Sequence, residues 1–335
     1  METAALAAGA AVHDLGWQRR MGVSGEDRFR WLNGMVTNKV SDLDPGKGAW
    51  NLVLNAQGRI QGDVTVWRDG ESLEIEIAAD ECDRLLAHFD RFIIMDDVEL
   101  KPLDRETALG LTGPLVEAVL AGLGLPVLPE PMTQARAAWT GFDLRVVRGY
   151  GALSPHYELW APDAATAPLW QALCAAGATP VGTASLEAFR IAEGIPAYGI
   201  DIVERDLAQE TSQMRALNFN KGCYLGQEIV ERIHSRGNVH RHLRQLELTG
   251  SLPPAGTELT LPGEPAAAKP AGHITSAAEL PLPTGSRIFA LGMIRAEAEL
   301  GGQPFLYTAG TATGTARILA APPSLITDRN ESREP

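Results

Sequence analysis

Alternating apolar and polar residues dominate the first hundred positions, and this pattern predicts strands joined by tight turns. Residues 49–54 and 60–67 form a predicted hairpin, because Asn55 and Gly58 supply turn chemistry between two apolar runs. Residues 73–78 alternate apolar and acidic side chains, as a half-exposed strand does. The pattern therefore predicts three strands in close succession.

Apolar residues at three- and four-residue spacing predict helices between the strands. One helix is predicted over residues 23–38 with Ser24 as N-cap, and another over residues 186–193 with Ser185 as cap and Gly194 as stop signal. Further helices are predicted over residues 82–92, 115–121 and 165–176, and further strands over residues 98–102, 108–112, 143–148 and 157–161. Strands and helices do not alternate regularly, so the pattern predicts an α+β fold.

The pattern changes near residue 241, where short strand-like segments are separated by glycine and proline. Such spacing is typical of a small all-β barrel or sandwich. The expected organisation is an α+β region over residues 1–240, a C-terminal β-barrel over residues 241–322 and a flexible tail over residues 323–335.

Composition narrows the class of protein. The chain has 335 residues, of which 45% are hydrophobic, enough for two or three domains with sizeable cores. The net charge of −13 argues against general affinity for DNA, RNA or anionic membranes. Three widely separated cysteines fit a reducing compartment. No stretch reaches the ~20 apolar residues of a membrane helix, and the N-terminus does not resemble a signal peptide, so we expect a cytoplasmic protein.

One run, residues 221–228, stands out as candidate chemistry. It reads Lys-Gly-Cys-Tyr-Leu-Gly-Gln-Glu, with Gly222 and Gly226 flanking Cys223. Glycine permits positive φ and close approach, so Cys223 is expected on a tight turn that opens into a helix. A thiol near a helix N-terminus and a lysine has a lowered pKa, which suits a reactive or ligating cysteine. The alternative is a small buried thiol, the interpretation that we favour for the other two cysteines.

Residues 221–244 form a basic segment in an acidic chain. The segment has net charge +3 (5 − 2), from Lys221, Arg232, Arg236, Arg241 and Arg244 against Glu228 and Glu231. Arginine pairs with carboxylates or phosphates in a fork geometry, so an anion site is one interpretation. A solvated basic face and a protein-facing surface are the alternatives. The spacing of its three histidines does not match a common metal pair, so no metal site is predicted.

The motif K-G-C-[FY]-x-G-Q-E, followed by Arg232 and Gly237, resembles the signature of the YgfZ family of folate-binding proteins, relatives of the glycine-cleavage T-protein. The resemblance extends over roughly residues 13–320. Five further segments are similar to family motifs, namely residues 54–60, 189–196, 198–201, 272–276 and 290–292.

The resemblance implies a T-protein-like ring of two interleaved α+β subdomains plus a C-terminal β-barrel, with tetrahydrofolate in its channel. It implies an accessory role in the assembly or repair of iron–sulfur clusters in client enzymes, including tRNA-modifying ones. Transient contacts with those clients are expected, and no direct contact with DNA or membrane. Cys223 is the implied catalytic residue. The implied folate contacts are Lys221, Gly222, Tyr224, Gly226, Gln227, Glu228, Arg232, Arg236, Asp63 and Arg190.

Two positions depart from the T-protein pattern. Gly62 replaces one aspartate of its acidic turn and leaves Asp63, while Ala192 stands where the T-protein has an acid. The acid here is Glu193, about 100° around the helix. The alternative function is a folate-dependent one-carbon transferase, an aminomethyltransferase or demethylase, in which Asp63 orients the nitrogen nucleophile. A regulatory folate sensor without chemistry is a third hypothesis, so the sequence leaves open whether the chain is an enzyme.

Overall fold

The computed structural model describes residues 2–103, 106–237, 239–263, 265, 269–283 and 285–325. It confirms the α+β class, with three sheets and helices packed against them. Most of the predicted tail, residues 326–335, lies outside the described residues. Among the described residues no helix combines the length and hydropathy needed to cross a membrane.

The first sheet has five strands in the order β3-β4-β5-β2-β6. Its strands are β2 (Gln18–Ser24), β3 (Gly48–Leu54), β4 (Ile60–Asp69), β5 (Ser72–Ala78) and β6 (Glu99–Pro102). The predicted hairpin is confirmed as β3 and β4. The Asn55 carboxamide accepts hydrogen bonds from the backbone N–H groups of Gln57 and Arg59, both at 3.0 Å, and so fixes the turn.

The second sheet has six strands in the order β11-β1-β7-β10-β9-β8. Its strands are β1 (Ala11–Asp14), β7 (Glu106–Thr112), β8 (Thr133–Trp139), β9 (Phe142–Arg148), β10 (His156–Pro162) and β11 (Thr179–Pro180). The first two strands of the chain thus enter different sheets: β1 joins the second and β2 the first. The two α+β halves are therefore interleaved, as the resemblance implied.

The third sheet closes on itself. Its strands are β12 (Arg241–Thr249), β13 (Glu258–Leu259), β14 (Gly272–Leu280), β15 (Arg287–Arg295), β16 (Phe305–Ala309) and β17 (Ala312–Ile318). The order is β13-β14-β15-β12-β17-β16, and Thr260 and Leu306 exchange two backbone hydrogen bonds of 2.9 Å across the two edges. The predicted C-terminal barrel is confirmed, while the division of the chain at residue 240 stays a prediction.

Helices cover the sheets and link them. They are α1 (Glu2–Ala8), α2 (Arg28–Met35), α3 (Ala79–Asp90), α4 (Val116–Gly122), α5 (Asp163–Ala175), α6 (Thr183–Glu193), α7 (Gln227–Arg236), α8 (Ala296–Glu299), and the 3₁₀ helices Ala208–Thr211 and Met214–Ala216. Both predicted caps are wrong. Ser24 pairs with Glu99 as part of β2, and Ser185 lies inside α6, where its hydroxyl donates to the Glu2 carboxylate at 2.6 Å.

A buried ionic layer joins the first two sheets. Arg20 on β2 is 1% exposed, and its guanidinium lies over the rings of Trp67 and Trp160, at 5.7 and 4.6 Å from their centroids. It donates to Glu74 and Glu76, each at 3.1 Å. Because Trp160 belongs to the second sheet, this layer fixes how the two sheets face each other.

Charge counting indicates that one carboxyl of this layer is protonated. Arg20 and Arg145 supply two positive charges, and Glu74, Glu76 and Glu158 would supply three negative ones. Burial, then the nearby Glu158 carboxylate, raises the pKa of Glu76 to about 8. With Glu76 neutral, the two arginines balance the other two carboxylates. Buried charges are tolerated when paired in this way.

Stability is expected to depend on pH through Glu76. Folding raises the pKa of Glu76 from the ordinary 4.5 to about 8. The neutral carboxyl therefore makes its whole contribution to the free energy of unfolding below pH 4.5, and this contribution is lost as the pH rises toward 8. We expect the wild type to lose about 1 kcal/mol per pH unit relative to Glu76→Gln between pH 6.5 and 8. Urea unfolding at several pH values measures this. Glu99→Gln, an exposed acid on β6, is the control, and parallel curves for wild type and Glu76→Gln would contradict the assignment.

Candidate functional site

The motif run forms a loop that leads into α7, as predicted. Gly226 has φ of 82°, and a Cβ built there would lie 2.6 Å from the carbonyl oxygen of Asn55. Glycine at this position lets the loop contact the β3–β4 turn before α7 begins at Gln227. Gly222 differs, because its φ is not positive and a Cβ there would meet nothing within 4 Å.

The Lys221 side chain is turned into the protein. Its ammonium donates to the carbonyl oxygens of Asn33 at 2.7 Å, and of Val36 and Asn38 at 2.6 Å each. All three of its donors are therefore engaged at the C-terminal end of α2. Burial lowers the pKa of Lys221 to about 7. This corrects the expectation that Lys221 faces an anion: it anchors the loop that carries Cys223.

The cysteines divide by exposure. Cys223 is exposed on the anchored loop, which excludes the buried structural alternative for this thiol. Cys82 is buried in α3 and Cys174 is half-buried in α5. The role of Cys223 stays a prediction, but its position allows a partner or ligand to reach the sulfur.

The other motif side chains point in different directions. The ring of Tyr224 is buried in a core cluster, burial raises the pKa of its hydroxyl to about 12, and within the described residues that hydroxyl has no hydrogen-bond partner. Glu228, Arg232 and Arg236 are exposed along α7, and Gln227 is half-buried at its start. Their predicted contacts with folate stay predictions, on a surface rather than in a cavity.

Arg190 is committed to internal bonds. Its guanidinium donates to Asp201 at 2.7 Å and also contacts Glu187 on its own helix. Asp201 in turn accepts 2.6 Å hydrogen bonds from the hydroxyls of Thr275 and Ser276 on β14. The predicted folate contact of Arg190 is therefore corrected to a structural role, which ties α6 to the barrel.

A cavity of about 310 Å³ has the end of α6 in its lining and, among the described residues, no residue of α7. Its walls come from the end of α6, the segment around Met214, and the barrel strands β12 and β15. The lining includes Tyr150, Glu193, Arg215, Gln245 and Leu291. Sequence reasoning missed Tyr150 and Arg215, because no local motif marks residues that converge from separate elements.

The guanidinium of Arg215 lies against two aromatic rings. It lies 3.6 Å from the centroid of Tyr150 and 4.6 Å from that of Trp50. Burial lowers the pKa of Arg215, and the Glu193 and Asp63 carboxylates oppose that shift. Of these three groups, Tyr150 and Arg215 line the cavity and give it an aromatic and a cationic surface.

Two carboxyls face this stack. The Glu193 carboxylate accepts from the backbone N–H of Leu153 at 3.0 Å, and burial raises its pKa to about 7. Asp63 accepts from the indole N–H of Trp50 at 2.9 Å, and burial raises its pKa as well. Glu193 lines the cavity, and a carboxyl with a raised pKa in such a position is typical of ligand-binding or catalytic sites.

Asn38 connects the cavity to the thiol loop. Its carboxamide donates to the carbonyl oxygens of Arg215 at 2.9 Å and Trp50 at 3.2 Å. Its own carbonyl oxygen accepts from Lys221, two residues before Cys223. Asn38 is therefore hydrogen-bonded both to Arg215, on the cavity lining, and to Lys221, on the loop that carries Cys223. Among the described residues, no group of three or more histidine, cysteine or acidic side chains is placed to hold a metal ion.

A family model described as the GCVT N-terminal domain matches residues 1–221. A chloroplast protein of Arabidopsis thaliana named as a transferase is 28% identical over 302 residues, which cover 87% of this chain and 66% of that protein. An aminomethyltransferase of Rubrobacter xylanophilus is 26% identical over 309 residues, covering 87% of this chain and 78% of the relative. A mitochondrial iron–sulfur cluster assembly factor homologue of Neurospora crassa is 28% identical over 247 residues, which cover 68% of this chain and 51% of that protein.

A solved structure shows the same fold. The glycine cleavage system aminomethyltransferase T from Bartonella henselae superposes with a TM-score of 0.85 over 97% of this chain and 89% of that one, at 19% identity. The arrangement of two interleaved α+β subdomains and a C-terminal barrel is therefore that of an aminomethyltransferase. The chain spans about half to four fifths of the curated relatives' lengths.

Proposed function

Because the chain belongs to the GCVT family, we propose that it binds tetrahydrofolate in the 310 Å³ cavity and supports the assembly or repair of iron–sulfur clusters in client enzymes. The proposal places it in the YgfZ-type branch, with clients that include tRNA-modifying enzymes. The single observation that carries it is the exposed Cys223 on a loop that Lys221 and Asn38 connect to the cavity.

The cavity chemistry fits the head of a folate. The pyrimidinone edge of tetrahydrofolate presents neighbouring N–H donors, and the Glu193 carboxylate can accept two of them at once. Tyr150 and Arg215, both on the cavity lining, are flat groups beside which such a ring can pack. A volume of about 310 Å³ suits a bicyclic ring rather than a whole folate, so the benzoyl-glutamate part extends outward.

This pocket differs from the T-protein pattern because the acidic residue of α6 stands at position 193 and not at position 192. Ala192 is fully buried in a core cluster with Leu280 and Phe289. Glu193, the next residue, faces the cavity instead. We assign Glu193 the recognition of the ring edge.

The second candidate function, one-carbon transfer, is favoured by Asp63. Its carboxyl lies beside the stack, with a pKa raised by burial, where a general acid or base could serve a folate nitrogen. Turnover of an aminomethyl donor with tetrahydrofolate, lost in Asp63→Asn, is the result that would select this alternative. A folate-dependent accessory role predicts no such turnover.

Cys223→Ser is expected to abolish support of a client iron–sulfur enzyme while folate affinity stays within twofold of wild type. The reason is that the thiol lies outside the cavity lining, on an exposed loop. Client activity in cells that depend on this protein, and calorimetric titration with tetrahydrofolate, are the two measurements. Cys174→Ser, a half-buried thiol on α5, is the control and should keep both. Full client activity in Cys223→Ser would exclude a role for the thiol.

A further inference from the structure

A second and larger cavity, of about 970 Å³, opens on the same barrel face as the folate cavity but at its other end. Strands β12 and β15 pair Gln245 with Leu291 at the folate cavity and Arg241 with Arg295 at the larger one. The two pairs lie four positions apart along each strand, which corresponds to a distance of about 13 Å.

An apolar layer lies between the two cavities. The intervening pair, Leu243 and Met293, belongs to a core cluster that also contains Leu52 and Leu54 of β3. A folate tail that leaves the first cavity would have to displace this core to reach the second. The larger cavity is therefore a separate site.

The described lining of the larger cavity carries four cations and three carboxylates: Arg59, Arg241, Lys269 and Arg295 against Glu210, Glu258 and Glu297. Within the described chain, neither Arg59 nor Lys269, both on its lining, forms an ion pair. Arg241 is neutralised by Asp206 at 2.7 Å and Glu210 at 3.0 Å, so it contributes shape more than free charge.

Arg295 adds an unused donor. Its terminal nitrogen pairs with Glu297, but its Nε is buried and has no hydrogen-bond partner among the described residues. A buried N–H without a partner costs free energy, which a bound acceptor would recover. Among the described residues, the lining thus holds two cations outside any ion pair, Arg59 and Lys269, one such carboxylate, Glu258, and one unsatisfied guanidinium donor.

His273 on β14 reports on charge in this cavity. Burial lowers its pKa, and the nearby Arg205 and Arg241 lower it further, while Asp206 and Glu258 oppose them. The ring is therefore neutral at pH 7 and able to both donate and accept a hydrogen bond. A bound anion would favour the protonated ring and raise the pKa.

We propose that this cavity binds a small multivalent anion, a di- or triphosphate or a tricarboxylate, held by Arg59, Lys269 and Arg295 with His273 at its edge. The volume exceeds what a single monovalent ion needs, and the cations come from separate segments: Arg59 just before β4, Lys269 just before β14 and Arg295 at the end of β15. Arginine forks and a lysine ammonium suit phosphate and carboxylate oxygens alike. The proposal does not depend on folate binding in the other cavity.

Calorimetric titration of the full-length protein with pyrophosphate and with citrate tests the site and separates the two anion sources. We expect at least one of them to bind with 1:1 stoichiometry and to raise the pKa of His273, followed by NMR, by about one unit. Arg59→Gln and Lys269→Gln should each weaken binding about tenfold, since each removes one charged contact.

Two controls make the test decisive. Arg232→Gln, an exposed cation on α7, should bind the anion as tightly as wild type, and Arg215→Ala should leave this site unaffected. Absence of binding by both anions, unchanged affinity in Arg59→Gln and Lys269→Gln, or an equal loss in Arg232→Gln would each overturn the proposal, the last by showing non-specific attraction.

Discussion

Arg20→Met is expected to lower the free energy of unfolding by about 3–5 kcal/mol, the typical cost of removing one partner from a buried ion pair. The substitution leaves the Glu74 carboxylate in the interior with Arg145 as its remaining cation, and it removes the guanidinium between Trp67 and Trp160. Methionine reaches only about as far as the arginine Nε, so the loss includes the volume of the guanidinium as well as its charge and hydrogen bonds.

Urea unfolding followed by tryptophan fluorescence measures this loss directly. The matched control is Arg30→Met, since Arg30 also bridges two carboxylates, Asp27 and Asp96, but is 69% exposed. Exposed pairs contribute about 0–1 kcal/mol, so the control should change stability little. A double variant, Arg20→Met with Glu74→Gln, should recover part of the loss because it removes the stranded charge. Equal effects of Arg20→Met and Arg30→Met would contradict the view that this layer holds the two sheets together.

Glu193→Gln is expected to weaken tetrahydrofolate binding about a hundredfold, or ~2.7 kcal/mol, because an amide cannot accept two ring N–H groups as a carboxylate does. The effect should depend on pH. The pKa of Glu193 is raised by burial to about 7, so the wild-type site loses its charge as pH falls below 7. Wild-type affinity should then fall by up to tenfold per pH unit below 7, while the affinity of Glu193→Gln stays level.

Binding isotherms of tetrahydrofolate from pH 5.5 to 8 check both parts of this prediction. Glu204→Gln is the control, since Glu204 is exposed and does not line the folate cavity. If Glu193→Gln keeps wild-type affinity, the ring edge is recognised elsewhere. If affinity falls but the two pH profiles remain parallel, Glu193 shapes the cavity without accepting from the ligand in its ionised form.

Local chemistry accounts for what the sequence predicted correctly. The Asn55–Gly58 turn, the positive φ of Gly226 and the stop of α6 at Gly194 all depend on residues a few positions apart. The barrel strands could be read for the same reason, since glycine and proline separate them.

Long-range partners account for what the sequence could not predict. The three carbonyl groups that engage Lys221 lie 183–188 residues earlier in the chain, so charge and position alone could not indicate that its ammonium is bound within the protein. The same holds for Arg190, whose network reaches β14, and for the stack of Trp50, Arg215 and Tyr150. Each residue type was visible, but only the fold brings them together.

The first two strands of the chain enter different sheets, and this affects the order in which the sheets can form during synthesis. Strand β1 pairs with β7 and β11. Ala11 can therefore form its two pairings only after Thr112, and then Thr179, have been synthesised. Strand β2 meanwhile pairs with β5, some sixty residues away. The nascent chain can therefore build most of the sheet containing β2 while its own first strand is still unpaired. Pairings between distant residues form slowly, and an unpaired edge attracts other chains. From the synthesis of β5 to that of β11, at least one edge of β1 therefore has no partner strand within the growing chain.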